Sequence, residues 1–176
     1  MPTTAATWSR RTFTVLLAIY GFSIAKHPDA GSLMDNIDLP IHETGHLVFG
    51  AFGEFVQFAG GTLFQLIVPL VFLGYFVRRR EQYAASVMLW WVAQNCWNIS
   101  VYAADARSEA LPLVGGGEHD WAWMLGRLGW LKFDHRIAGL FLATGVLLLL
   151  VSTVWGLLAA GTTTGEREGM TERTDG

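Results

Sequence analysis

The sequence predicts an all-α protein: an integral membrane helical bundle with four or five apolar segments, one of them re-entrant or incompletely spanning. Hydrophobic residues make up 52% of the 176 residues and the mean hydropathy is +0.35, more apolar than the roughly 45–50% of an ordinary soluble chain. The apolar residues are gathered into uncharged blocks: 24 residues from Ile137 to Ala160, 23 from Gln82 to Ala104 and 18 from Gly60 to Val77. A bilayer crossing needs about 20, and a soluble helical core does not need runs this long. The charges lie between the blocks and in the tails. The net charge of −3 therefore describes loops, and no basic patch suggests nucleic acid.

Residues 1–160 read as one membrane-embedded domain, with apolar segments at about 12–25, 39–58, 60–77, 82–104 and 137–160. Residues 161–176 form a Gly-, Thr- and charge-rich tail whose composition predicts disorder. Thr12 to Ala25 follows Arg10-Arg11 and is short for a crossing, so it reads as a signal-anchor helix or as a signal peptide with Ser23 and Ala25 at the cleavage point. The anchor is preferred because the chain goes on as a membrane protein. Either reading puts the N-terminus in the cytoplasm, at what would be a bacterial inner membrane, and Lys26 outside. After a loop to Asp38, Leu39-Pro40 starts a helix, with Asp38 as its cap and proline tolerated in the first turn.

Segment 39–58 carries Glu43, Glu54, Gly45, Gly50 and Gly53 and ends in Gly60-Gly61. If it crosses fully, Arg78-Arg79-Arg80 falls outside, against the positive-inside tendency. If it turns back, the three arginines are cytoplasmic. The block 82–104 then returns outward, and the loop from Asp105 to Arg136 shares a side with His42. Cys96, the only cysteine, allows no intramolecular disulfide and reads as a small buried hydrophobe. Trp121, Trp123 and Trp130 suggest an interfacial helix.

The chemistry is concentrated in His42-Glu43-Thr44-Gly45-His46. On a helix, positions i and i+4 share a face, so both imidazoles can address one cation, while Glu43 stands about 100° round from His42, within reach of a water at that cation. Ionisable groups in so apolar a setting are functional by default. Catalytic zinc takes three protein ligands and a water. His119, after Gly115-Gly116-Gly117, is the preferred third ligand. Asp105 and Asp120 are the alternatives, either as ligand or as the group that orients a ligand histidine. Asn95, Asn98, Tyr102 and Asp105 recur at helical spacing and form either an active-site wall or a helix–helix hydrogen-bond seam. Thr62 and Gln65 share a face of the next helix and could contact substrate, while Gly60-Gly61 favours close helix packing. Glu54, about 12 Å along the axis from His46 in a continuous helix, reaches the metal only if the chain breaks near Gly50 or Gly53. His27 and His135 read as ordinary surface histidines.

The motif, the apolar helix that continues from it and the Gly-Gly-containing segment downstream resemble the membrane-embedded zinc metallopeptidases of the site-2 protease type over about residues 39–70. The resemblance implies that His42 and His46 bind Zn2+ and that Glu43 activates water. That family takes its third ligand from an aspartate in a later helix, generally followed by glycine. Here Asp105 is followed by Ala106 and a His119-Asp120 pair appears instead. The expected function is a zinc-dependent hydrolase cleaving a peptide bond of a peptide or membrane-protein substrate near the interface of the lipid bilayer. The alternative is a non-catalytic metal-binding scaffold or transport component.

Overall fold

The computed structural model describes residues 3–113 and 117–162. Among these residues there are six α-helices and no strand: α1 (Thr4–Lys26), α2 (Asp35–Phe49), α3 (Glu54–Arg78), α4 (Gln82–Ala104), α5 (Asp120–Arg127) and α6 (Asp134–Ala159). Two helical stretches, Glu54–Arg78 and Leu131–Ala159, are long and apolar enough to cross a membrane. Residues 115 and 116 of the glycine run, and the tail from 163 onward, lie outside the described residues.

α4 is the central helix. Ala85, Trp90, Ala93, Cys96, Trp97, Ile99 and Ala103 are all buried along it, enclosed by α1, α3 and α6. Gly145 of α6 packs against the indole of Trp97, and a Cβ there would meet the Ala93 carbonyl at 2.8 Å. α1 begins eight residues before the apolar segment expected at 12–25 and runs parallel to α4: Tyr83 donates to the Arg10 carbonyl at 2.8 Å and Trp90 to that of Leu17 at 2.9 Å. Its last turn stops opposite the middle of α4, where Ile24 joins Trp90, Ala93, Trp97 and Leu149 in one apolar cluster. The final turns of α4 are therefore left uncovered by α1, which makes room for the site.

The chain re-enters at that level. Ser32 ties the preceding loop to Asp35, the first residue of α2, its N–H donating to Asp35 Oδ2 at 2.6 Å and its hydroxyl to Oδ1 at 3.0 Å. The helix thus starts a turn before Leu39-Pro40. Pro40 lies inside it, and Asp38, expected as the cap, is buried and accepts from the Trp91 indole at 3.0 Å instead.

The segment expected at 39–58 is not one helix. α2 ends at Phe49, a single tight turn occupies Gly50–Phe52, and Gly53 takes a φ of +98° that a side chain would strain. α3 then returns antiparallel to α2, with Gly45 packed on Gly60. A Cβ on Gly60 would meet the Gly45 carbonyl oxygen at 2.7 Å and the Phe49 Cβ at 2.8 Å. The reversal is at Gly50–Gly53, and Gly60-Gly61 lies within α3 as a packing surface. α5 is held between neighbours by its tryptophans: Trp123 stacks on Phe58 of α3 at 4.2 Å and Trp121 meets Phe141 of α6 edge-on at 5.7 Å. Trp130 is exposed.

Candidate metal centre

Facing positions on α2 and the first residue of α5 bring His42, His46 and Asp120 together, one ligand atom from each lying within 4.8 Å of the others. Asp120 Oδ2 is 3.0 Å from His42 Nε2 and 3.3 Å from His46 Nε2. A tetrahedral zinc with ligand bonds near 2.0–2.1 Å has ligand–ligand edges of about 3.3 Å, so the spacing fits such an ion.

The ring tautomers decide what these atoms can do. His42 Nδ1–H donates to Gln65 Oε1 at 3.2 Å, and His46 Nδ1–H donates to the Gln57 carbonyl at 2.8 Å. Each ring spends its Nδ1 proton on an acceptor, and its Nε2 lone pair turns toward Asp120. Two lone pairs and a carboxylate oxygen aimed at one another need a cation or a proton between them. Without a metal the proton serves: His46 is raised to about 9, first by its hydrogen bond to Asp120, against burial, which lowers it. Burial works to raise Asp120, but its bonds to His42 and His46 win and hold it below the usual carboxylate range. A backbone carbonyl on the outer nitrogen of a ligand histidine, as at His46, is a common arrangement at metal sites, and the Gln65 amide oxygen fills the same place for His42.

Behind Gln65 the polar contacts continue. Its amide NH2 donates to Asn98 Oδ1 at 2.8 Å, and the Asn98 NH2 donates to Asp35 Oδ1 at 3.0 Å. Gly61 permits the close approach of α3 to the site: a Cβ there would meet His42 Cδ2 at 2.6 Å.

His119, expected as the third ligand, does not join this group. It caps α5, its Nδ1 accepting the Ala122 N–H at 3.2 Å, and its Nε2 faces Asp105 Oδ2 at 3.5 Å. Its ring lies on that of Tyr102 with centroids 4.2 Å apart, and the Tyr102 hydroxyl accepts the Asp120 N–H at 3.3 Å. The third position belongs to the next residue because the helix starts at Asp120, which turns its side chain inward. Asp105 stands one layer further out. Burial opposes its ionisation, yet donation from Ser108 and from the N–H groups of Leu111 and Ala110 holds it below the usual range. It anchors the chain leading to His119, and so supports Asp120 at one remove.

Glu43 is exposed and stands in the walls of two cavities, of about 340 and 430 Å³, that meet at His42. Gln65, Asn98 and Tyr102 line the first. Asn95 and Thr62 are buried and line neither cavity, so they do not stand where substrate would. The break near Gly50 does bring Glu54 to the wall of the second cavity, although its carboxylate turns outward to Arg127 at 3.3 Å. Gln57, whose carbonyl fixes His46, was missed by sequence reasoning, since a backbone acceptor leaves no trace in residue type. Comparisons with protein-family models, with curated proteins and with solved structures return no match.

Proposed function

We propose that the protein is a membrane-embedded zinc-dependent hydrolase, a metallopeptidase of the site-2 protease kind, cleaving a peptide bond near the membrane interface. The observation that carries this reading is the convergence of the His42 and His46 lone pairs on the Asp120 carboxylate, beside an exposed Glu43. An aspartate from a later helix is also the third ligand in the family that the motif resembles, although Trp121 rather than glycine follows it here.

His42, His46 and Asp120 would hold the ion, which supplies a Lewis acid and lowers the pKa of water to about 7. Gln65 and the Gln57 carbonyl keep both rings in the tautomer that offers Nε2. Glu43 accepts a proton from the attacking water and returns it to the leaving nitrogen. Its exposure to both cavities lets it serve both transfers. A substrate segment enters where α1 stops short.

The reading includes four crossings, α1, α3, α4 and α6, with α2 turning back and the site near the outer face of a bacterial inner membrane. Arg10-Arg11 and Arg78-Arg79-Arg80 support it, because the Tyr83–Arg10 bond puts both clusters at one end of the bundle, the end expected in the cytoplasm.

Glu43→Gln tests the reaction. The zinc-loaded, detergent-purified variant should keep its metal and lose at least ~100-fold in cleavage of a fluorogenic peptide library. Unchanged turnover with metal bound would make the protein a metal-binding scaffold or transport component instead.

A further inference from the structure

The cavity on the α1 side of Glu43 has Asp29, Asp35, Asp38 and Glu43 in its wall and, among the described residues, no Lys or Arg. The cavity on the other side adds Glu118 and Asp120, Glu54 being turned out to Arg127, and no Lys or Arg among the described residues lines it. A cleft lined by one sign of charge between low-dielectric walls focuses the field, so this one draws in cations and turns away carboxylates.

Asp38 gives that field a specific end point. It is 1% exposed, its Oδ1 is taken by Trp91, and its Oδ2 has no donor among the described residues. The side chains of Gln94 and Asn95 lie against it. Both are fully buried behind it and line neither cavity, so Asp38 is the acceptor that the cavity wall itself carries. Buried acceptors left without donors carry an uncompensated desolvation cost. A primary ammonium group brings three N–H donors and no acceptor, together with the charge that a buried carboxylate lacks. Asp35 is different, because Ser32, Gln94 and Asn98 already donate to its carboxylate. On α2, Asp38 and His42 are i and i+4, about 6 Å apart along the axis, a distance that a lysine side chain spans from a backbone held at the metal.

We propose that this cavity receives a primary ammonium group of the substrate, the side chain of a lysine beside the bond to be cleaved, and that Asp38 is the residue that selects it. The inference rests on the reading of His42, His46 and Asp120 as a zinc centre, and it adds the substrate class.

The test uses two metal-chelating probes of matched shape, Nα-acetyl-lysine hydroxamate and Nα-acetyl-norleucine hydroxamate, titrated calorimetrically into the zinc-loaded full chain in detergent. The lysine probe should bind about tenfold or more tightly than the norleucine probe, and Asp38→Asn should bring the two within about threefold of each other. Equal binding by the wild type, or tighter binding of norleucine, overturns the inference and leaves the zinc centre standing. Selectivity that survives in Asp38→Asn overturns it too. Failure of both probes to bind protein that carries zinc would mean that the ion has no position open to a ligand, which removes the hydrolase reading and this inference with it. If Asp38→Asn does not fold, the wild-type ratio decides alone.

Discussion

Asp120→Asn distinguishes the three-residue metal centre from other arrangements of the same side chains. The amide has the size of the carboxylate and leaves the start of α5 intact, but it gives a cation no charge and His46 no counter-ion. With zinc present, the ion should keep two good ligands of three, and affinity should fall well beyond the ~10–100-fold typical of outer supporting groups. His119→Gln, which removes only the ring between Asp105 and Ala122, should stay within that range. Without zinc, His46 stands at about 9 rather than 6.5, chiefly through its bond to Asp120. In Asp120→Asn it should return toward 6.5, each pH unit of the fall reporting about 1.4 kcal/mol of lost interaction. Equilibrium dialysis gives the affinities, and NMR titration of 13C-labelled histidine gives the ring value. Wild-type zinc affinity in Asp120→Asn, together with its loss in His119→Gln, would restore His119 as the ligand. An unmoved His46 titration would mean that the carboxylate is not its partner.

Two further outcomes follow from the same geometry. Gly61→Ala should lower zinc affinity without removing a ligand, because the new methyl presses on the His42 ring, whereas Gly45→Ala should act on the α2–α3 contact and lower the melting temperature, overpacking costing about 1–3 kcal/mol; wild-type behaviour in both would contradict the close approach. The zinc-free protein should lose stability as pH rises from 6.5 through about 9, since a histidine raised in the folded state contributes fully below its unfolded value and not at all once it has lost its proton. Asp120 and Asp105, both lowered, should contribute above the ordinary carboxylate value of 3.8 and lose that contribution in acid; an apo melting temperature that is flat between pH 6.5 and 9 would refute the His46–Asp120 pairing.

The uncharged blocks at 60–77, 82–104 and 137–160 were legible as helices, and they correspond to most of α3, α4 and α6. Length and lack of charge are properties of a segment alone. The reversal between α2 and α3 was harder to locate. Glycine serves a turn through its freedom in φ and a helix contact through its missing Cβ, and residue type does not say which is in use. Gly53 uses the first and Gly60 the second, so the close packing expected of Gly60-Gly61 is present, while the boundary between segments expected at 58–60 lies at Gly50–Gly53. The exchange of His119 for Asp120 has a similar origin. Both residues have metal-binding side chains, and the choice depends on which one begins α5 and on the stacking of Trp123 on Phe58 that sets the helix against α3. The i, i+4 pair of His42 and His46 was legible because both lie on one helix, whose periodicity fixes the spacing of its own side chains.

The polar row behind the site also explains why His42 presents the right nitrogen. The Asp35 carboxylate accepts from Ser32, Gln94 and Asn98 alike, so Asn98 turns its NH2 toward it. Asn98 then shows its oxygen to the Gln65 NH2, and Gln65 is left with its own oxygen for the His42 ring. That oxygen accepts Nδ1–H, which places the proton on Nδ1 and the lone pair on Nε2. The orientation of each amide follows from the one before it, and the series begins at a charge two turns back along α2, about 10 Å from the histidine. Asp35 was expected only as a loop residue, Gln65 as a substrate contact and Asn98 in an active-site wall or a helix–helix hydrogen-bond seam; the Gln65–Asn98 bond is such a seam, and together the three fix the tautomer that a metal would require. α2 can carry both the first and the last member of this series because it is a separate 15-residue helix that enters opposite the middle of α4. A crossing helix starting at Leu39 would have left Asp35 in the loop before it, with nothing to fix the direction of the first amide.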